Sequence, residues 1–239
     1  MKKIQYLLGM IASIAAVMAM LISSFQIAIY ADFDFYQTEY EKYEVLSDLN
    51  MEMEDVMYVT EEMMAYLLGD RESLSVITIV DGQEQDFFNE QDRFHMWEVQ
   101  KLFMGGLELR RLAISLMINC ILLLMFFVEK EKRKNPIPSE EWSAIKILCR
   151  SYRWVLAGLA VLIAFVGTAV AVNFSKAFTI FHEIFFDNDL WIFNPAEDYM
   201  IRMLPEGLFM DFVVRIGVIF IIMLILTLTM DCLILKHKK

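Results

Sequence analysis

The chain has 239 residues, 58% of them hydrophobic, with a mean hydropathy of +0.47, a formal charge of −11 and three cysteines. That hydropathy excludes an ordinary soluble domain, and the acidic balance argues against a nucleic-acid partner. What remains is a mainly α membrane protein.

Ile4–Tyr30 is the first of four apolar runs able to cross a hydrocarbon core of roughly 30 Å, which takes about 20 helical residues. Lys2-Lys3 precede it as in a signal peptide. The run is longer than the usual apolar region of about 7–15 residues, and Ala28-Ile-Tyr-Ala31 has the wrong spacing for cleavage. It reads as an uncleaved first transmembrane helix. Residues 31–109 follow as an extracytoplasmic cap, too long and too patterned for a linker. Within it, Ser47–Leu68 carries Leu49, Met53, Val56, Met57, Met63, Met64 and Leu67 at helical spacing, and predicts one helix closed by Gly69. Ser75–Val80, Asp81-Gly82 and Gln83–Phe88 predict a β-hairpin on a type I′ turn. Asn89, with Asp92 three residues on, predicts the start of a helix that carries His95 and runs towards the second span. The cap is therefore a small α+β body.

Leu112–Val128 is the second span, extended outward by Leu102-Phe-Met-Gly-Gly-Leu. Glu129–Arg153 forms a basic loop, whose run Glu129-Lys-Glu-Lys-Arg-Lys-Asn-Pro reads as a topology determinant and headgroup contact. Trp154–Asn173 is the third span. Phe174–Asp211 is a second extracytoplasmic segment, dense in aromatics and holding His182; part of that density suits an interfacial belt. Asn194-Pro195 and Pro205-Glu206 each predict a helix start, the latter opening the fourth span, Phe212–Leu235. Arg215 and Asp231 fall near its ends, where they can snorkel.

With four spans, both termini and the 129–153 loop share one side. Counting Asp231, that side holds 12 Lys/Arg and 5 Asp/Glu, against 9 and 27 on the other. The positive-inside rule places both termini in the cytoplasm of a multi-pass cell-membrane protein, with the acidic segments outside. Cys120, Cys149 and Cys232 all fall in spans or in the cytoplasmic loop, so no outer disulfide or thiol nucleophile is expected. None follows a small-residue lipobox, so the chain is not expected to be a lipoprotein itself.

The chain has three histidines, and His237 sits in the basic tail. His95 and His182 share the predicted outer side and point to an acid–base site at the membrane surface, provided they meet. A lone histidine in such a place is more often a packing residue; two alter the balance. His95 has Asp92 at i−3 and Glu98 at i+3 on one helical face, where a carboxylate would fix the imidazole tautomer and raise its basicity. His182 has Glu183, Asp187 and Asp189 nearby. No H-E-x-x-H or paired-Cys spacing supports a metal, and no motif surrounds Ser47, Ser73, Ser75 or Ser175 to support a serine nucleophile. The competing expectation is a non-enzymatic membrane protein whose acidic cap binds a protein partner, with both histidines structural.

Two stretches carry a resemblance. Phe88-Asn89-Glu90, His95-Met96, Glu98-Val99 and the longer Phe181-His182-x-Ile-Phe-Phe-x-Asn188-x-x-Trp191-x-x-Asn194-Pro195-x-x-Asp198-x-x-Ile201-x-x-x-Pro205-Glu206 resemble a bacterial family of four-span integral membrane proteins. That family includes the lipoprotein intramolecular transacylase; Glu98 stands where it usually has Asp. The resemblance implies two catalytic histidines, matching His95 and His182, and no cofactor. It implies transfer of the sn-2 acyl chain of a diacylglyceryl lipoprotein to the α-amine of that lipoprotein's N-terminal cysteine, leaving the lyso form. Glu98, Asn188, Trp191 and Asn89 would support the site or position substrate, with Asn188 or Trp191 donating to the oxyanion. Nucleophile and ester lie on one substrate molecule, so positioning alone can reach effective molarities of about 10⁵–10⁸ M. Acid and base would add about 10²–10⁴ each, and no acyl-enzyme is needed.

Overall fold

The computed structural model describes residues 2–134 and 143–237. In chain order it runs α1 (Lys2–Tyr30), α2 (Asp34–Lys42), α3 (Val45–Leu49), α4 (Met53–Leu68), β1 (Ile77–Val80), β2 (Gln83–Asp86), α5 (Glu90–Lys134), α6 (Ala144–Val172), α7 (Phe174–Phe185), α8 (Tyr199–Met203) and α9 (Glu206–His237). Four of these, α1, α5, α6 and α9, are long and apolar enough to cross a membrane. At 45 residues α5 is ~68 Å long, more than twice a hydrocarbon core. The apolar run 112–128 fills only part of α5, and the turns that carry His95 precede that run. The centre of the predicted basic loop, 135–142, lies outside the described residues.

Two compact units divide the chain. The first comprises Met1–Phe25, Glu108–Ala171 and Gly217–Lys239. Small side chains let its helices approach closely, as packing within lipid requires. Ala15 and Ala19 of α1 pack with Ala113 of α5, and a Cβ on Gly9 would stand 2.5 Å from Ser151 Oγ. Asp231 does not snorkel: it is 6% exposed and accepts from Arg153 Nε at 2.8 Å. A carboxylate this far from water needs a paired cation, which α6 supplies.

The second unit comprises Gln26–Leu107 and Val172–Ile216. Val56, Val59, Met63 and Leu67 recur every three or four residues along α4, and this stripe is buried in a core with Tyr36, Tyr40, Leu49, Phe87, Phe88 and Met203. Thr60 donates back to Val56 O at 2.8 Å, so Tyr40, 2.6 Å away, donates its hydroxyl proton to Thr60. The single helix expected over Ser47–Leu68 is two. Asn50 is left-handed at φ 48 and closes α3, and Glu52 is extended before α4. Gly69, at φ 80, closes α4 as anticipated. The hairpin also forms, with Ile77 opposite Asp86 and Val80 opposite Gln83. Asp81 and Gly82 both have positive φ, as a type I′ turn requires. Asn194-Pro195 opens a single turn rather than a helix, since α8 begins at Tyr199, whereas α9 does begin directly after Pro205. Arg215 also finds a partner, Asp32 Oδ2 at 3.0 Å.

Candidate active site

His95 is placed by the start of α5. Asn89 and Asp92 cap that helix reciprocally: the Asp92 N–H donates to Asn89 Oδ1 at 2.9 Å, and the Asn89 N–H donates to Asp92 Oδ2 at 3.0 Å. This is the capping-box arrangement with an aspartate as the second member. His95 follows one turn later. Asn89 Nδ2 also donates to Asp198 Oδ1 at 2.5 Å, and Asp198 Oδ2 accepts from the Asn194 N–H at 2.6 Å. The first helix turn of α5 is thus clasped to the Asn194–Asp198 turn. Gln91 Nε2 adds bonds to the carbonyls of Leu190 and Ile192, at 3.0 and 3.1 Å, and so fixes the backbone on either side of Trp191.

His182 is placed by α7. Asn173 ends the run of α6 and caps α7, its side chain accepting from the Lys176 N–H. His182 lies on the buried face, while Ile184 and Phe185 stand exposed at 68% and 51%. The His182 Nδ1 lies 2.8 Å from the Phe178 carbonyl, one turn back. A carbonyl only accepts, so Nδ1 holds the proton and Nε2 presents its lone pair.

The two imidazoles face each other, their ring centroids 5.9 Å apart and their planes 24° from parallel. Both are buried, at 6% and 8% exposure. Aromatic rings enclose them: Phe186 and Phe193 lie 4.9 and 5.4 Å from His95, and Phe178 and Trp191 lie 4.4 and 4.8 Å from His182, centroid to centroid. Removal from water disfavours the imidazolium, and this burial, reinforced by His182 opposite, brings His95 down to about 4. Burial also lowers His182, although the Phe178 carbonyl, which stabilises its N–H, works against that. At neutral pH both rings are uncharged. An apolar chamber with one fixed acceptor nitrogen and a second neutral imidazole across from it can move a proton without a standing charge.

The flanking residues take parts that helical spacing did not give them. Glu98 Oε1 accepts from Asn188 Nδ2 at 2.9 Å. Asn188 Oδ1 in turn accepts the Leu190 N–H at 2.9 Å, an Asx turn that shapes the loop before Trp191. Asp92 serves Asn89, not His95. Glu98 Oε2 and His95 Nδ1 are buried with no hydrogen-bond partner among the described residues. Trp191 stacks on His182 at 29° between planes. Asp198 was absent from the expected site, although it stood within the second sequence motif. Among the described residues no three His, Cys, Asp or Glu side chains converge to hold a metal ion.

Comparison with known proteins then places the chain. The family described as lipoprotein intramolecular transacylase Lit matches residues 10–209. Among curated proteins nothing matches. The fold is similar to that of the membrane-integral lipoprotein intramolecular transacylase Lit of Bacillus cereus, at TM-score 0.75 and 18% identity, over 100% of this chain and 99% of that one. It is also similar to two variants of that protein in which one histidine is replaced, by alanine (TM-score 0.73, 18% identity, 99% of this chain and 96% of that one) and by arginine (0.72, 18%, 99% and 94%).

Proposed function

The chain belongs to the lipoprotein intramolecular transacylase family and is a multi-pass membrane acyltransferase, and from that premise we propose that His95 and His182 are its acid–base pair. The substrate is a diacylglyceryl lipoprotein held at the outer membrane surface. The termini are cytoplasmic, and residues 31–109 and 174–211 form the extracytoplasmic cap. The observation that carries this reading is the pair of buried imidazoles facing each other at 5.9 Å, one with its tautomer fixed.

The reaction is proton-neutral. The α-amine nitrogen of the lipoprotein's N-terminal cysteine attacks the sn-2 ester carbonyl, forming the amide C–N bond as the ester C–O bond breaks. His182 Nε2 takes the proton that the amine sheds, and the resulting imidazolium is steadied by the Phe178 carbonyl at Nδ1. His95 gives its ring proton to the departing glyceryl oxygen and recovers one from His182, so the site ends as it began. The aromatic wall excludes water, which would otherwise hydrolyse the ester instead of allowing transfer. The exposed Ile184 and Phe185 beside His182 give the acyl chains an apolar approach. Asn188, its carbonyl and one amide hydrogen already engaged, keeps a second N–H for the oxyanion.

The test is expression in a host that makes diacyl lipoproteins, with mass spectrometry of their N-termini. The wild-type protein should yield the lyso form with an amide-linked acyl chain. His95→Ala and His182→Ala should yield diacyl lipoprotein only while remaining inserted. Lyso product at wild-type levels from either variant would remove that histidine from the chemistry.

A further inference from the structure

A second site lies on α6. Arg150, Arg153, Trp154 and Ala157 line an open cavity of about 660 Å³. Arg150, Trp154 and Ala157 recur every three or four residues on one stripe of the helix, with Arg153 beside it, and Val161 and Phe165, exposed at 72% and 75%, continue it. The stripe is basic at one end and wholly apolar at the other. Nothing lies within 4 Å of where a Cβ would stand on Gly158, so the groove stays open beside Ala157.

The charges in this groove are unequal. Arg153 is spoken for: its Nε donates to Asp231 at 2.8 Å and its Nη2 lies 3.7 Å from Cys232 Sγ. Arg150 donates to the Tyr6 hydroxyl at 2.9 Å, a neutral group, and among the described residues it has no carboxylate in ion-pair range. Among the described residues, the Arg150 guanidinium is therefore met only by a neutral hydroxyl. Trp154 is 69% exposed where the apolar run begins, the depth at which an indole anchors in headgroups. From Arg150 to Phe165 the helix rises ~22 Å, which is the depth of one leaflet: about 15 Å of hydrocarbon plus its headgroup layer.

We propose that this stripe binds one anionic glycerophospholipid. The phosphate sits on Arg150, the glycerol lies over Trp154 and Ala157, and an acyl chain runs along Val161 and Phe165. The net negative headgroup is selected because Arg150, whose partner among the described residues is a neutral hydroxyl, attracts it, whereas the quaternary ammonium of a zwitterionic lipid would offset the attraction.

The full chain in detergent micelles is offered phosphatidylglycerol and phosphatidylcholine of matched acyl chains, and lipid retention is read by native mass spectrometry. The expected preference for phosphatidylglycerol is about fivefold, the factor that ~1 kcal/mol per basic residue provides. Arg150→Gln, at an exposed position, should bring the ratio to near one. Ala157→Phe fills the groove without touching charge and should lower occupancy by both lipids, so it carries the test independently if the arginine variant misfolds. Millimolar inorganic phosphate should displace little, because the acyl chains contribute. Equal retention of the two lipids by the wild type would overturn the proposal. So would a preference that survives Arg150→Gln, occupancy unchanged by Ala157→Phe, or release by free phosphate.

Discussion

Replacing Asp92 with Asn should stabilise the protein at neutral pH, the opposite of the usual result for a buried hydrogen-bonded residue. Asp92 is wholly buried, and only one of its carboxylate oxygens is engaged, by the Asn89 N–H; Oδ1 has no partner among the described residues. Burial, with the nearby charge of Asp198, pushes its carboxyl up from 3.8 to about 6, against the opposing pull of Asn89 and Arg93. Near 1.36 kcal/mol per unit, holding the anion there costs about 3 kcal/mol at pH 7.5. The amide has the shape of the protonated acid and can accept the same N–H. Its own amine group lacks an assured partner, so a net gain of about 1–3 kcal/mol is expected. At about 2–4 °C per kcal/mol for a chain of this size, the melting temperature should rise by roughly 2–12 °C. The sign can be checked with pH. A carboxyl raised in the folded state binds its proton more tightly there than in the unfolded chain. It therefore favours the fold at low pH, and this advantage is lost as pH rises from about 3.8 through 6. The gain of the variant over wild type must then shrink as pH falls through the same window. Thermal ramps followed by tryptophan fluorescence in detergent, at pH 7.5 and at pH 4, measure both. A variant less stable than wild type at pH 7.5, or a difference indifferent to pH, would show that the anion is an asset to the α5 cap.

The alanine variants of His95 and His182 should each lose at least the 10²–10⁴-fold that a proton-transfer group contributes, and His237→Ala should match wild type in the same lyso-lipoprotein assay. The acid limb of the rate should follow the substrate's α-amine, near 7.7–8.0, and not an imidazole near 6.5, because both histidines are held below their usual range and stay neutral there. A limb centred near 6.5 would contradict that. Glu98→Gln preserves an acceptor for Asn188 Nδ2, so its transfer rate should fall within a few fold of the exposed control Glu108→Gln, while Glu98→Ala should be slower than both. A 100-fold loss in Glu98→Gln would mean that the charge itself acts on the substrate.

What was legible in the sequence was local. The four spans follow from length and hydropathy, and Asp81-Gly82, Gly69 and the Asn89/Asp92 pair each settle a backbone conformation within a few residues. Asn50 belongs with them: an asparagine tolerates the left-handed conformation, and reading it as a helix stop would have split Ser47–Leu68 correctly. Its neighbours Leu49 and Met53 hid it, because they sustain the apolar period across the break.

The partners that the sequence did not show are mostly nonlocal. Helical spacing set Glu98 and Asp92 beside His95, but i±3 spacing fixes only which side chains are able to meet, not which do. Glu98 is taken by Asn188, 90 residues on, and Asp231 by Arg153, 78 residues back. In both cases a polar group removed from water takes the best donor that packing brings, and packing is set by the whole core. His182 is instructive in the other direction. Its partner is the carbonyl of its own preceding turn, Phe178, four residues back. The tautomer on which the proposed base depends rests on this i−4 contact, in which the Phe178 carbonyl accepts from the ring nitrogen of His182. His95 has no such local support at Nδ1. Its orientation rests on Phe186 and Phe193, reached through the Asn89–Asp198 clasp, so loosening that clasp should disturb His95 before it disturbs His182.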